Sequence, residues 1–384
     1  MQRGLVVMAA ILGVVMVCSQ ARGEVSSNFD LEIYGFIKVD MAYDTGRVDP
    51  GNYARWVNSE ADNEDDDQFN ITANASRLGF KLSGQSDSGR ELSGLLEIDL
   101  YGGGAENKAT PCLRHAYVKM TWPDRRMSLL AGQTWDLVAQ QIPATANFTA
   151  AWWAGNIGYR HPQLRFSKSV GLGTSADMTA ELALARTLGR GTVGGFDPGD
   201  TGEDAGIPTV QGRLAWSFPM GSQRAVIGFS GHWAQEEYDL DAEGNNKTID
   251  SYSAAVEMSL PFTTGVTLKG EAWTGENLDS YLGGIGYGVN DDLEPIKSTG
   301  GWAALELGPW GRWSFLLGGS LDDPDDELLA MGSRSKNTSL FGNVSIKLAK
   351  NLTETLEISQ WTTDYLEMPK GDAIRIQYSL MYKF

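Results

Sequence analysis

The chain has 384 residues, with 46 Gly, 12 Trp, only 2 Cys and a formal net charge of −18. That acidity argues against a nucleic-acid partner. Cys112 is the one cysteine beyond residue 18, so a disulfide scaffold is excluded. There is no His-Glu-x-x-His or Gly-x-Ser-x-Gly segment, and His115, His161 and His232 are the only histidines. No enzyme, cofactor or metal site is expected. His232 has Ser230 two residues away, but residues so spaced on a strand merely share a face.

Arg3, the apolar run Leu5 to Val17 and the small residues Ser19, Ala21 and Gly23 read as a secretory signal over residues 1–23. No later apolar run reaches the roughly 18 residues of a membrane helix. Mean hydropathy is −0.25, which suits strands that are apolar on one side only.

From residue 24 to 384 the pattern is alternation with period two. It predicts about sixteen strands, near 29–43, 68–83, 92–101, 113–122, 127–135, 162–168, 176–187, 208–219, 223–236, 248–260, 265–275, 299–308, 312–321, 337–349, 351–365 and 370–384. The connections alternate long and short. Segments such as 44–67, 136–161 and 277–298 are long, whereas Pro123–Arg126, Met220–Ser222 and Lys350-Asn351 are turns. A soluble sandwich or propeller has no reason to sort its loops this way. An outer-membrane barrel does, with turns and termini in the periplasm and long loops outside. The last strand, Ile374 to Phe384, alternates Ile, Ile, Tyr, Leu, Tyr and Phe with Arg375, Gln377, Ser379, Met381 and Lys383. The expected fold is therefore all-β, a transmembrane antiparallel β-barrel forming one domain, in the bacterial outer membrane among lipid and lipopolysaccharide.

Aromatic girdles are expected from Trp122, Trp216, Phe218, Trp313, Tyr382 and Phe384 at the periplasmic ends, and from Trp233, Trp273, Trp302 and Trp361 at the outer ends. The third external loop (136–161) differs from its acidic neighbours. Helix formers from Leu137 to Gln141 precede Pro143, and Phe148, Trp152 and Trp153 need something to pack on. This loop is expected to fold into the lumen and constrict it, or else to contact a neighbouring subunit.

If the apolar positions face lipid, their alternates line the lumen. Lys38, Arg77, Lys81, Lys119, Arg165, Arg213, Lys269, Lys347, Arg375 and Lys383 then face Asp40, Glu97, Asp99, Glu181, Glu257, Glu271, Glu306 and Glu357. That wall is near neutral, so the negative excess sits in loops such as Glu60–Asp67 and Asp322–Glu327. Neither cluster has EF-hand spacing, and solvated loops are the simpler reading.

The segments Tyr34–Gly46 (YGFIKVDMAYDTG), Ser76–Gly84 (SRLGFKLSG), Gly132–Asp136 (GQTWD), Gly158–Ser167 (GYRHPQLRFS) and the final Tyr-Lys-Phe resemble the DcaP-like outer-membrane porins. The resemblance covers the first half and the last strand. It implies a homotrimer of sixteen-stranded channels that passes small organic anions such as dicarboxylates. Members often carry a periplasmic coiled coil after the signal, which this sequence lacks.

Guanidinium groups hold carboxylates bidentately, so Arg77, Arg160 and Arg165 are the chosen anion contacts. The latter two bracket the return of the third loop to the barrel, while Lys81, Lys119 and Arg213 would extend a basic track. The alternative is that such arginines brace the wall by pairing with Glu97 or Asp99. Two other functions compete: a sugar- or cation-preferring pore, with Trp152 and Trp153 stacking on sugars, and a plugged structural or adhesin barrel.

Overall fold

The computed structural model describes residues 29–63, 66–85, 89–103, 108–173, 175–189, 201–241 and 243–384. The signal read over 1–23 lies outside them. The first six barrel strands are β1 (Asp30–Asp44), β2 (Gln68–Thr72, continued by Arg77–Gln85), β3 (Glu91–Asp99), β4 (Cys112–Trp122), β5 (Met127–Trp135) and β6 (Arg160–Leu172). They are followed by β7 (Ala176–Ala185), β8 (Thr209–Met220), β9 (Gln223–Asp239), β10 (Asn246–Thr263) and β11 (Val266–Glu276). The last five are β12 (Lys297–Trp310), β13 (Trp313–Pro324), β14 (Arg334–Ala349), β15 (Leu352–Tyr365) and β16 (Met368–Lys383).

Each strand pairs with its neighbours in sequence, and β1 also pairs antiparallel with β16, from Phe36↔Lys383 to Asp44↔Arg375. Gly35 and Phe384 exchange both backbone hydrogen bonds, at 3.2 and 3.1 Å. The sheet closes, so no strand edge is left unpaired, as a barrel in lipid requires. All sixteen segments read from the alternation are strands.

Alternation also decides the faces. On β1, Leu31, Ile33 and Ile37 are 55–57 % exposed outward, whereas Asp40 and Asp44 are 3 % and 0 % exposed inside. Val118, Leu317 and Leu340 continue this outer belt at 65–66 % exposure. Such a surface, continuous around a closed barrel, matches hydrocarbon and not water.

The lower girdle is present: Trp216, Trp313, Tyr382 and Phe384 project outward at the turn end. The upper one differs from expectation. Trp233 faces out, but Trp273, Trp302 and Trp361 are only 3–4 % exposed and point inward. They sit on lumen parity; Trp273 and Trp361 pack against loops folded inside, and Trp302 packs on the wall residues Ala304, Leu316 and Phe341. Trp273 Nε1 donates to Gly155 O at 2.7 Å, and Trp361 clusters with Val48, Ala54 and Ala154.

Two irregularities re-aim side chains. Between Asp40↔Thr72 and Phe36↔Arg77, β2 carries one extra residue, so Thr72 and Arg77 both face the lumen. A second shift, between Glu97↔His115 and Ile98↔Leu113, inserts Arg114.

Because every ladder closes on itself, the purified protein should show a β-dominated circular-dichroism spectrum in detergent and migrate faster on gels before heating than after. A helical spectrum would refute the architecture.

Candidate functional site: a lumen narrowed by three loops

Among the described residues, L1 (45–63), L3 (136–159) and L6 (277–296) turn into the barrel, and Thr201 between β7 and β8 donates to the inward Glu236 at 2.9 Å. Within L1, Val48–Pro50 and Ala54–Val57 form a short hairpin. L3 is coil with turns; the run from Leu137 to Gln141 forms no helix. The reason lies in its donors, since wall side chains take the backbone N–H groups that a helix would have used. Leu137 N donates to Gln211 Oε1 at 2.9 Å and Ala139 N to Ser230 Oγ at 3.1 Å, while Gln140 N donates to Glu257. Further along, Ala146 N and Asn147 N donate to Glu357 at 2.6 and 3.1 Å, and Ile157 N to Glu271 at 3.1 Å.

Apolar packing completes the fit. Val138, Ala139 and Ile157 join Trp273, Leu278 and Tyr281 in one buried cluster. Gly155, at φ +124°, is pressed so close that an added Cβ would lie 2.3 Å from Gly301 O. No side chain fits there.

At the root of L3, Asp136 accepts from His161 Nδ1 at 2.8 Å, Gln211 Nε2 at 2.9 Å and Tyr159 N at 2.8 Å. Burial alone would raise its carboxyl, but the His161 imidazole and these donors outweigh that and hold it below the usual carboxylate range. His232 stacks on Tyr281 at 3.8 Å and bonds Ser253 and Ser251 at 2.7 and 2.9 Å. Its neighbour Ser230 is engaged by L3 instead.

These anchors change the charge balance of the lumen. The inward carboxylates Glu257, Glu271, Glu357 and Asp322 are 0–6 % exposed and hold loop backbone N–H groups. Asp322, expected in an outer loop, is on β13, with Ile285 N of L6 donating to it at 3.1 Å. The acidic segments do not converge: among the described residues, no group of three or more His, Cys, Asp or Glu is arranged to hold a metal ion.

Among the described residues, two cavities lie along L3. The first, about 240 Å³, is bordered by Trp135, Gln140, Ile142, Trp152, Tyr159 and Arg165. The second, about 350 Å³, lies against β1, β2 and β14 to β16, and Lys38 and Arg77 are its only charged lining residues. Ser345, Thr353, Thr355 and Ser379 add hydroxyls to it.

The chosen arginines are therefore placed differently from one another. Arg77 borders the second cavity, 3.6 Å from Glu97, and its buried Nε has no hydrogen-bond partner. Arg165 borders the first, held by Gln163 Oε1 at 2.9 Å and by the Trp135 carbonyl. Arg160 borders neither; it is 3 % exposed, with Tyr159, Trp135 and Trp152 rings 4.5, 4.7 and 5.9 Å away. Arg213 bridges Glu181 at 3.0 Å and Glu257, which makes it a wall brace. Lys81 pairs with Glu32 at 2.7 Å near the turn end of β2. The Lys119 side chain has no ion pair or hydrogen bond to the described residues.

Phe148 borders the second cavity and packs on Tyr101 and Tyr53, at 4.1 and 5.4 Å. Trp152 is 5 % exposed, and Trp153 lies beneath Arg55 at 5.2 Å. The alternation missed Arg114, whose bulge turns it inward to Glu97 at 2.9 Å and Asp99 at 2.6 Å. Lys38 was legible only as one of many wall lysines. Nothing in the sequence separates the one that meets L3, where Nζ donates to Ala146 O at 2.7 Å.

No protein-family model matches the chain, and no curated protein is significantly similar to it. Solved structures do match. The outer-membrane channel DcaP of Acinetobacter baumannii superposes with a TM-score of 0.73 at 16 % identity, over 93 % of this chain and 98 % of that one. An anion-selective porin from Comamonas acidovorans gives 0.63 at 12 %, over 93 % and 100 %. Pseudomonas putida OprB gives 0.56 at 9 %, over 93 % and 94 %. The likeness read from the first half of the sequence and its last strand thus extends, at the level of the fold, over nearly the whole chain, which has the sixteen-stranded barrel of the outer-membrane porins.

Proposed function

We propose that the chain is a bacterial outer-membrane pore for passive diffusion of small hydrophilic solutes, and that it favours small organic anions such as dicarboxylates. One observation carries the preference. The inward carboxylates around L3 are occupied by loop N–H groups, and Asp136, which borders the first cavity, is taken up by Tyr159 N, His161 and Gln211, whereas Lys38, Arg77 and Arg165 border the cavities. Arg160 is assigned a positioning role, holding Trp135 and Trp152 at the edge of the first cavity. The matching structures include an anion-selective porin and a trimer form of Vibrio cholerae OmpT, which supports anion passage and assembly of three copies. Burial of Trp152 counts against a sugar-stacking pore.

Reversal potentials in planar bilayers test the reading. The screening length is about 8 Å at 0.15 M salt and about 3 Å at 1 M, so acidic outer loops act weakly on an ion already between Lys38 and Arg77. Anion preference is expected, stronger at high salt, and strengthened again by Asp66→Asn with Asp67→Asn. Cation selectivity at high salt would refute it. Absence of conductance would favour a plugged barrel, a reading that the three inward loops support.

A further inference from the structure

We propose that Ile142 sets the specificity of the pore, as an apolar bar between two cavities, one bordered by Arg165 and Asp136 and the other by Lys38 and Arg77, that favours organic anions with an apolar body over compact, strongly hydrated anions of equal charge. The inference rests on the anion-pore reading above and adds a second axis of selection.

Ile142 borders both cavities, the one containing Arg165 and the one containing Lys38 and Arg77. The backbone around it is suspended between separate parts of the wall. On one side Gln140 N is tied to Glu257 of β10; on the other, Asn343 of β14 donates to Ala144 O at 3.1 Å, and Glu357 of β15 takes Ala146 N. Among the described residues, Gln141, Ile142 and Pro143 between these ties make no hydrogen bond. Pro143 disfavours helical backbone at Ile142 and so keeps this part of the loop extended.

Its exposure is out of line with the other leucine, valine and isoleucine side chains of L3. Val138, Ala139 and Ile157 are 1–4 % exposed, each in the wall cluster, but Ile142 is 37 % exposed. Folding stability gives no reason to hold an isoleucine there. Permeation does, because an aliphatic side chain returns none of the hydrogen bonds that an ion gives up when it sheds water. A chloride ion has nothing to set against that loss. A carboxylate with an alkyl body can rest its apolar part on Ile142 while its charge passes from Arg165 to Arg77.

The test is bi-ionic reversal potentials, with chloride against hexanoate, for the unsubstituted protein and for Ile142→Asn, Ile142→Ala and Ile142→Val. Asn has as many side-chain heavy atoms as Ile, in a smaller volume, but is polar; Ile142→Val and Ile142→Ala lose volume without adding polarity. Ile142→Asn should lower the hexanoate-to-chloride permeability ratio about fivefold, roughly the worth of one or two methylene contacts, and Ile142→Val should restore it. Anion-over-cation preference should persist in all three. A purely steric bar would leave the ratio unmoved by Asn and raise both permeabilities in Ala. That result in an anion-selective pore overturns the assignment of Ile142 alone, whereas cation selectivity of the unsubstituted pore removes the parent reading and this one with it. Unheated gel mobility shows that each variant has closed its barrel.

Discussion

Replacing Lys38 and Arg77 together by glutamine should lower the anion-to-cation permeability ratio by an order of magnitude and bring it to, or past, unity. The two cations are the only charged side chains bordering the second cavity. At about 4 Å, one unit charge is worth roughly 1 kcal/mol even at the dielectric constant of water, or about fivefold in permeability for each cation removed. The carboxylates nearby stay in place. Asp40 keeps Gln377 at 3.1 Å and Ser379, and Glu97 keeps Arg114 at 2.9 Å and Tyr34 at 2.8 Å. What changes is the balance, because those carboxylates lose the partners that face the passage. Lys81→Gln is the control: its pair with Glu32 is exposed, so the ratio should hardly move. A double substitution with unchanged reversal potential would place the selectivity filter elsewhere.

The second large effect is expected from Glu357→Ala, which should release the middle of L3 without unfolding the barrel. Glu357 accepts from Ala146 N at 2.6 Å, Asn147 N at 3.1 Å and Asn343 Nδ2 at 2.9 Å. Hydrogen bonds to a charged acceptor are worth roughly 1.5–3 kcal/mol each, and buried donors left unpaired lose that and their hydration as well. Amide exchange at Ala146 and Asn147 should quicken by two orders of magnitude or more, and single-channel conductance should rise and become noisy. Glu357→Gln keeps a carbonyl acceptor and should fall between. Exchange in the β14 to β16 ladders reads the barrel separately; if those protect less while L3 does not, Glu357 serves the sheet and not the loop.

How far the sequence could be read depended on the kind of order involved. Strand positions and faces followed from alternation, since one lipid-facing side imposes a period of two on every strand. Wherever a side chain had two uses, the pattern failed. A tryptophan near a strand end suits a girdle, yet Trp273 and Trp361 serve as floors for inward loops and Trp302 packs against the inner wall. Arg114 stood on lipid parity, and only a one-residue bulge, silent in composition, turns it to Glu97 and Asp99. The stretch from Leu137 to Gln141 has helix propensity, but Gln211, Ser230 and Glu257, 74 to 117 residues away in sequence, take its donors. Local preference loses there to distant acceptors. The inward arginines were legible as a set; which of them meet a cavity was not, because that depends on the path of L3.

The way L3 is fastened has a consequence for how this protein could change over generations. The wall supplies side-chain acceptors and the loop supplies backbone N–H groups, which every residue except proline possesses. The course of the loop is thus written largely in the sheet, at Glu257, Glu271 and Glu357, and only weakly in the loop itself. Away from packed positions such as Gly155 and Ile157, side chains along L3 can be exchanged while the track that carries them stays where it is. Variation in the loop becomes a cheap route to new permeants, and variation at the three glutamates a costly one.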